Sequence, residues 1–110
     1  MNSFTQTHFS LACRNRKAEA IPYQDILYLE GSINYTLIHL INGKVKVSPR
    51  TMLYHIQHSL NDSFIRIHRA FCVNKCYIQA DSDFSLDYIE LKNGTQLAIA
   101  RRRRKILQTI

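Results

Sequence analysis

The sequence predicts a mainly β domain of short antiparallel strands with little helix, and three observations carry that prediction. Two Asn-Gly dipeptides, Asn42-Gly43 and Asn93-Gly94, separate YTLIHLI from KVKVS and LDYIELK from TQLAIA. Asn-Gly between apolar-rich runs is the strongest short-range hairpin signal, because a type I′ turn needs positive φ at both central residues. The remaining strand candidates are short, and only one internal stretch repeats its apolar residues at helical spacing.

In chain order, HFSLA near the N-terminus is a weak strand candidate, and ILYLE is a strand entered from the turn at Pro22. The first Asn-Gly hairpin pairs strands near 34–41 and 44–48. A helix over about 50–60 comes next, with Ser48 as cap and Pro49 at the first helical position, or Thr51 as the alternative cap. Leu53, Ile56 and Leu60 form its apolar stripe, with His55 and His58 beside it. Asn61-Asp62-Ser63 ends it. Residues 77–79 are a weak strand, and the second hairpin pairs 86–92 with 95–100. There Ile89 and Leu91 share one face, as do Leu97 and Ile99. A last helix starts near Arg101, with Ile106, Leu107 and Ile110 as its apolar face. The stems of Arg102 and Arg103 then lie along the core, and Arg101, Arg104 and Lys105 point outward.

At 110 residues the chain is one domain. Apolar content of 45% excludes a disordered chain, and no apolar run is long enough to span a bilayer. The first residues lack the apolar core and cleavage signal of a secretory leader. Three cysteines, an odd number, read as free thiols in a reducing cytoplasm. Fifteen Lys and Arg against eight Asp and Glu give a formal charge of +7, and five of the fifteen stand in the run 101–105. Such clustering points to a polyanionic partner.

Chemistry-bearing groups narrow the choice. No nucleophile has a base at readable spacing, and three glycines build no phosphate loop, so an enzyme is not expected. His68, Cys72 and Cys76 are spaced by four, with Cys13 as a possible fourth ligand. That spacing makes a metal face only on a helix, and the residues around His68 read as strand. Cys72 is better read as a small buried hydrophobe. Asp81, Asp83, Asp87 and Glu90 suit a turn between strands rather than a nuclease metal site. Neither metal nor cofactor is expected.

The most informative stretch is 64–74, FIRIHRAFCVN. In a strand, Ile65 and Ile67 enter a core while Arg66 and His68 stand on the opposite face. Rigid β-structure then holds multi-donor groups at fixed positions, which suits reading a polyanion. This stretch, with IPYQDILYLEGSINYTLIHLING, TMLYHIQHSL and LKNGTQLAIARRRRKIL in the same order, resembles the LytTR-type DNA-binding domain of bacterial transcription regulators. The resemblance covers about residues 18–110 and leaves 1–17 as an N-terminal extension or first strand. Its framework residues are Phe64, Arg66, His68 and Asn74, with an arginine after the last strand.

The resemblance implies elongated antiparallel β-sheets with two short helices. It implies double-stranded DNA as partner, read in successive major grooves by loops rather than a recognition helix. The base-contacting positions it implies match Asn34 or Tyr35, Arg69 and Arg101. Arginine suits guanine O6 and N7 in a bidentate way, and asparagine suits adenine. The plainer readings are a surface ion pair or phosphate contact for the arginines, a turn former for Asn34, and an edge-packed strand residue for Tyr35. Arg66 and His68 are framework or phosphate groups, Asn74 bonds backbone in a turn, and Arg102, Arg104 and Lys105 attract phosphates. Two departures stand out. Ala100 replaces the family's usual serine, removing one phosphate hydrogen bond, and only about 17 residues stand where a receiver or membrane segment usually does. One domain contacts a short site, so a second copy on a repeated operator is a natural partner; membrane and small-molecule substrate are not expected. The alternative is a sequence-tolerant binder of RNA or single strands that uses Tyr23, Tyr28, Tyr35 and Phe71 as stacking platforms.

Overall fold

The computed structural model describes residues 8–12, 17–84 and 86–107. A five-stranded antiparallel sheet forms its middle layer, in the order β5-β4-β3-β7-β6. The strands are β3 (Ile26–Gly31), β4 (Thr36–Leu40), β5 (Val45–Ser48), β6 (Phe64–His68) and β7 (Phe71–Asn74). A two-stranded ribbon of β1 (His8–Leu11) and β2 (Glu19–Pro22) lies with helix α1 (Met52–His58) on one face. The ribbon of β8 (Tyr88–Glu90) and β9 (Gln96–Ala98) lies with helix α2 (Arg104–Leu107) on the other. The body is elongated, 44 × 31 × 25 Å, and the fold is the mainly β, antiparallel one expected.

Two hydrophobic cores result, one on each face of the middle sheet. Phe9, Leu11, Ile21, Ile26, Leu29, Ile38, Met52 and Phe64 fill the first. Leu27, Tyr28, Ile67, Val73, Ile89, Leu91, Leu97 and Leu107 fill the second. Strand β3 serves both. Its pairing with β4 steps from Ile26↔Leu40 to Tyr28↔His39, which makes Leu27 the extra residue of a β-bulge. The bulge turns Leu27 and Tyr28 into one core and leaves Ile26 and Leu29 in the other. A continuous apolar run is what a strand covered on both faces requires.

Both Asn-Gly hairpins are present, but their turns differ from the expected type I′. In the first, the Gly43 N–H donates to the Leu40 carbonyl (3.0 Å) and the Leu40 N–H to the Lys44 carbonyl (2.9 Å). That pattern is a three-residue loop with a glycine bulge, and Gly43 has φ +89°. The second repeats it through Gly94, at φ +92°. Each asparagine Oδ1 accepts the N–H two residues on, at Lys44 (2.9 Å) and Thr95 (3.1 Å). Asparagine thus acts as an Asx cap, and only glycine supplies the positive φ.

Helix α1 corrects two further expectations. Thr51 is its cap, accepting the Tyr54 N–H at 3.2 Å; Ser48 faces inward instead. The buried face is Met52, His55 and Ser59, while Leu53 is 54% exposed and Ile56 and Leu60 are only half-buried. His55 satisfies both ring nitrogens on hydroxyls, Nε2 with Ser48 Oγ (2.7 Å) and Nδ1 with Ser59 Oγ (2.9 Å). Burial, and then the charge of Arg50, lower its pKa to about 4, so it is a neutral core group. The weak strand at 77–79 is a 3-10 turn, Lys75–Tyr77, followed by a bridge from Ile78 to Leu91. The N-terminal strand candidate is β1, whereas Ile110 and Cys13 lie outside the described residues.

Candidate nucleic-acid interface

Three loops meet along one end of the middle sheet, and backbone hydrogen bonds set their order. The β3–β4 hairpin closes where the Ser32 N–H donates to the Tyr35 carbonyl (2.8 Å), which puts Ile33 and Asn34 at the tip. At its base the Gly31 N–H donates to the carbonyl of Ala70 (2.8 Å), in the turn between β6 and β7. On the other side of that turn, the Ala100 N–H donates to the Ile67 carbonyl (2.8 Å). Arg69 therefore stands between the hairpin tip bearing Asn34 and Tyr35 and the segment opening with Arg101. Two basic clusters far apart in sequence are brought together, and all four expected readers are exposed. Gly31 is also a point of close approach: a Cβ there would lie 3.1 Å from Met52 Cβ.

Arg66 and His68 fix the central turn from within. Arg66 Nη2 donates to the Arg69 carbonyl (2.7 Å) and its Nε to the His68 carbonyl (3.3 Å). His68 Nδ1 accepts the Ala70 N–H (3.0 Å), which leaves Nε2 as its outward nitrogen. None of these three bonds uses the Arg69 side chain. Burial first, and the nearby charge of Arg103 second, lower the pKa of Arg66. Arginine stays protonated regardless, so Arg66 and Arg103 concentrate positive charge beneath the turn. The same β6–β7 pair has a bulge between Arg66 and His68, which is where the strand bends toward its turn.

At the opposite end of this hairpin, Asn74 is buried and Nδ2 donates to the carbonyls of Tyr23 (3.1 Å) and Ile26 (3.0 Å). Its Oδ1 accepts the Cys76 N–H (3.3 Å). The expected bonding of Asn74 to backbone is thus present, across two chain segments. Cys72 is 3% exposed and burial pushes its thiol up to about 12, as suits a small hydrophobe. Among the described residues, no three of His, Cys, Asp and Glu gather to hold a metal ion.

The last basic run opens as a 3-10 turn, Arg101–Arg103, before α2. Arg101, Arg102 and Lys105 are exposed, and Arg103 and Arg104 are half-buried. Arg102 and Arg104 have therefore exchanged the positions expected of them, because a 3-10 turn has three residues per turn and shifts the phase of the helix after it. Arg104 is paired with Asp87, while its Nε is buried without a partner.

Two exposed residues at this end escape sequence reasoning. Arg50 lies beyond β5, its carbonyl accepting from Thr36 Oγ1 (2.8 Å) and its guanidinium 4.7 Å over the Tyr54 ring. The pairing Thr36↔Ser48 brings it beside the hairpin, and only the strand register discloses that. Ile33, at the tip, is 89% exposed; its signal in the sequence is an isoleucine inside a Gly-Ser-x-Asn turn. Conversely, Tyr23 and Tyr28 are buried and Phe71 is half-buried. Tyr28 stacks on His39 at 4.2 Å. Of the four aromatics that a single-strand binder would use, Tyr35 alone is exposed. No helix among the described residues is long and apolar enough to cross a membrane.

Residues 16–110 match the family model of the LytTr DNA-binding domain. Among solved structures, the chain is similar to the LytTr DNA-binding domain of a Bacillus cereus protein described as a methyl-accepting/DNA response regulator. The TM-score is 0.74 at 20% identity, over 96% of each chain. No curated protein matches the sequence.

Proposed function

The chain belongs to the LytTr DNA-binding domain family, and from that premise we propose that it is a sequence-specific, double-stranded DNA-binding transcription regulator. The hairpin tip with Asn34 and Tyr35, and the segment opening with Arg101, enter successive major grooves, with Arg69 reading between them. One observation carries this reading: the pair of hydrogen bonds, Gly31 to Ala70 and Ala100 to Ile67, that flank the Arg69 turn with the other two loops. A reader held by backbone bonds to its neighbours loses little freedom on binding, which favours selective over merely attractive contact.

The arginines read guanine through their forked donors, and Asn34 reads adenine. Arg102 and Lys105 hold phosphates, joined by Arg104 when it leaves Asp87. Arg66 and His68 reach phosphate only with atoms their internal bonds leave over, Arg66 Nη1 and His68 Nε2. The protein is a reader rather than an enzyme, needs no cofactor or small-molecule substrate, and works on DNA in the cytoplasm. A second copy on a repeated operator extends the short site that one domain covers.

Selection of bound sequences from a random duplex pool tests the reading. The expected result is a defined motif, repeated at a fixed helical spacing where two copies bind. Salt supplies a second measure. Roughly 4–6 phosphate contacts, each contributing about −0.9, give a slope of log K against log salt near −4 to −5. A slope shallower than about −2, or equal affinity for single strands, contradicts the proposal.

A further inference from the structure

Ile33 is the most exposed large hydrophobic residue among those described, at 89%, against 59% for Val47, the next. It contributes nothing to either core. It occupies the tip of a hairpin closed by the Ser32–Tyr35 hydrogen bond and anchored through Gly31 to the Arg69 turn. A shallow groove beside it is lined by Gly31, Met52, Leu53, Arg66 and Arg69, so a second exposed apolar side chain, Leu53, and two cations border the same spot. An apolar tip rimmed by guanidinium groups matches few surfaces. A protein partner able to bury Ile33 would have to accommodate Arg66 and Arg69 as well. The major groove supplies both complements: phosphates along its walls, and on its floor a single apolar group, the C5-methyl of thymine.

We propose that Ile33 is a specificity-determining residue that packs against a thymine C5-methyl group in the groove that Asn34 enters. The inference rests on the reading of this chain as a sequence-specific duplex binder and assigns that reading a residue and a base. Ile33 and Asn34 are consecutive at the tip, so the thymine adjoins or pairs with the adenine that Asn34 reads. The preferred site then carries A·T pairs at that position, recognised by one hydrogen-bonding and one apolar contact.

Replacing thymine by deoxyuridine removes the methyl group and leaves base pairing and every groove hydrogen bond in place. The test is binding of the intact chain and of Ile33→Ser to the selected site, with each thymine replaced in turn. Because Ile33 lies outside both cores, the variant keeps its fold, which circular dichroism checks. For the intact chain, one thymine should be sensitive, with a loss of about fourfold, the burial of one methyl-sized group. Ile33→Ser should bind the parent site more weakly and be indifferent to that replacement. If no thymine is sensitive, or if Ile33→Ser keeps the sensitivity and weakens all duplexes alike, the proposal fails. A protein-binding role for Ile33 would give the first of those results, with Ile33→Ser leaving DNA affinity unchanged. In either failure, an Arg69→Ala variant that still loses preference for the selected site shows that the loop-reading model survives. If the intact chain prefers no site at all, both fall together.

Discussion

The β6–β7 hairpin has two ends that do opposite things with the same kinds of residue. At the end away from the turn Asn74 is buried, and its amide joins two carbonyls from another part of the chain. At the turn end Arg66 and His68 spend their bonds on the backbone of the turn, and the Arg69 side chain stands in solvent. Asparagines show the same division: Asn74 is 2% exposed, whereas Asn34 sits at an exposed tip. The lesson is that the family's most recognisable residues, Phe64, Arg66, His68 and Asn74, are mainly architecture. They hold still the turn that leaves Arg69 exposed between them.

If that division is right, damage at the Asn74 end is read in stability and damage at the turn end in specificity. The largest effect is expected from Asn74→Ala. It removes the two bonds from Nδ2 to the carbonyls of Tyr23 and Ile26 and the cap on the Cys76 N–H, at a cost of about 2–4 kcal/mol by denaturant unfolding. The folded fraction should keep its preference for the selected site, and a changed preference would break the comparison.

The next effect is pH-dependent. His55 has a folded pKa of about 4, below its ordinary 6.5, so the unfolded chain binds more protons between those values. Stability is therefore complete above pH 6.5 and falls as the pH drops toward 4, by about 3 kcal/mol at most. His55→Gln should flatten that part of the profile, visible between pH 5 and 6.5 before carboxylates titrate. An unchanged slope would mean that the histidine is charged in the folded state.

The smallest effect concerns Arg104, which is half-buried but whose partner Asp87 lies largely in water. Arg104→Ala should cost less than about 1 kcal/mol of stability. It should weaken selected and scrambled DNA equally, and flatten the salt slope by about one unit. A selective loss at the preferred site would move Arg104 among the readers.

Much of this was legible in the sequence because several signals agreed. Asn-Gly located both hairpins, and alternation located β6 with Ile67 in a core. What escaped was phase. In α1, Met52, His55 and Ser59 recur at the same spacing as Leu53, Ile56 and Leu60, and hydropathy favours the second set. The first set is buried because two serine hydroxyls and a neutral imidazole satisfy one another, a partnership that no local pattern records. The exchange of Arg102 and Arg104 has the same character, since nothing in four consecutive arginines announces a 3-10 start. The turn type at Asn-Gly and the exposure of Ile33 likewise depend on hydrogen bonds between residues that the sequence only juxtaposes.

The most direct test of the division is the ratio of affinities for the selected site and for scrambled duplex, measured at two salt concentrations for Arg69→Ala and Arg101→Ala. Each should lose about 1–3 kcal/mol at the selected site and far less on scrambled DNA, so that the ratio shrinks while thermal stability stays at the parent value. If both variants instead lose the two affinities in parallel, the arginines are phosphate contacts and the turn end does not read sequence through them.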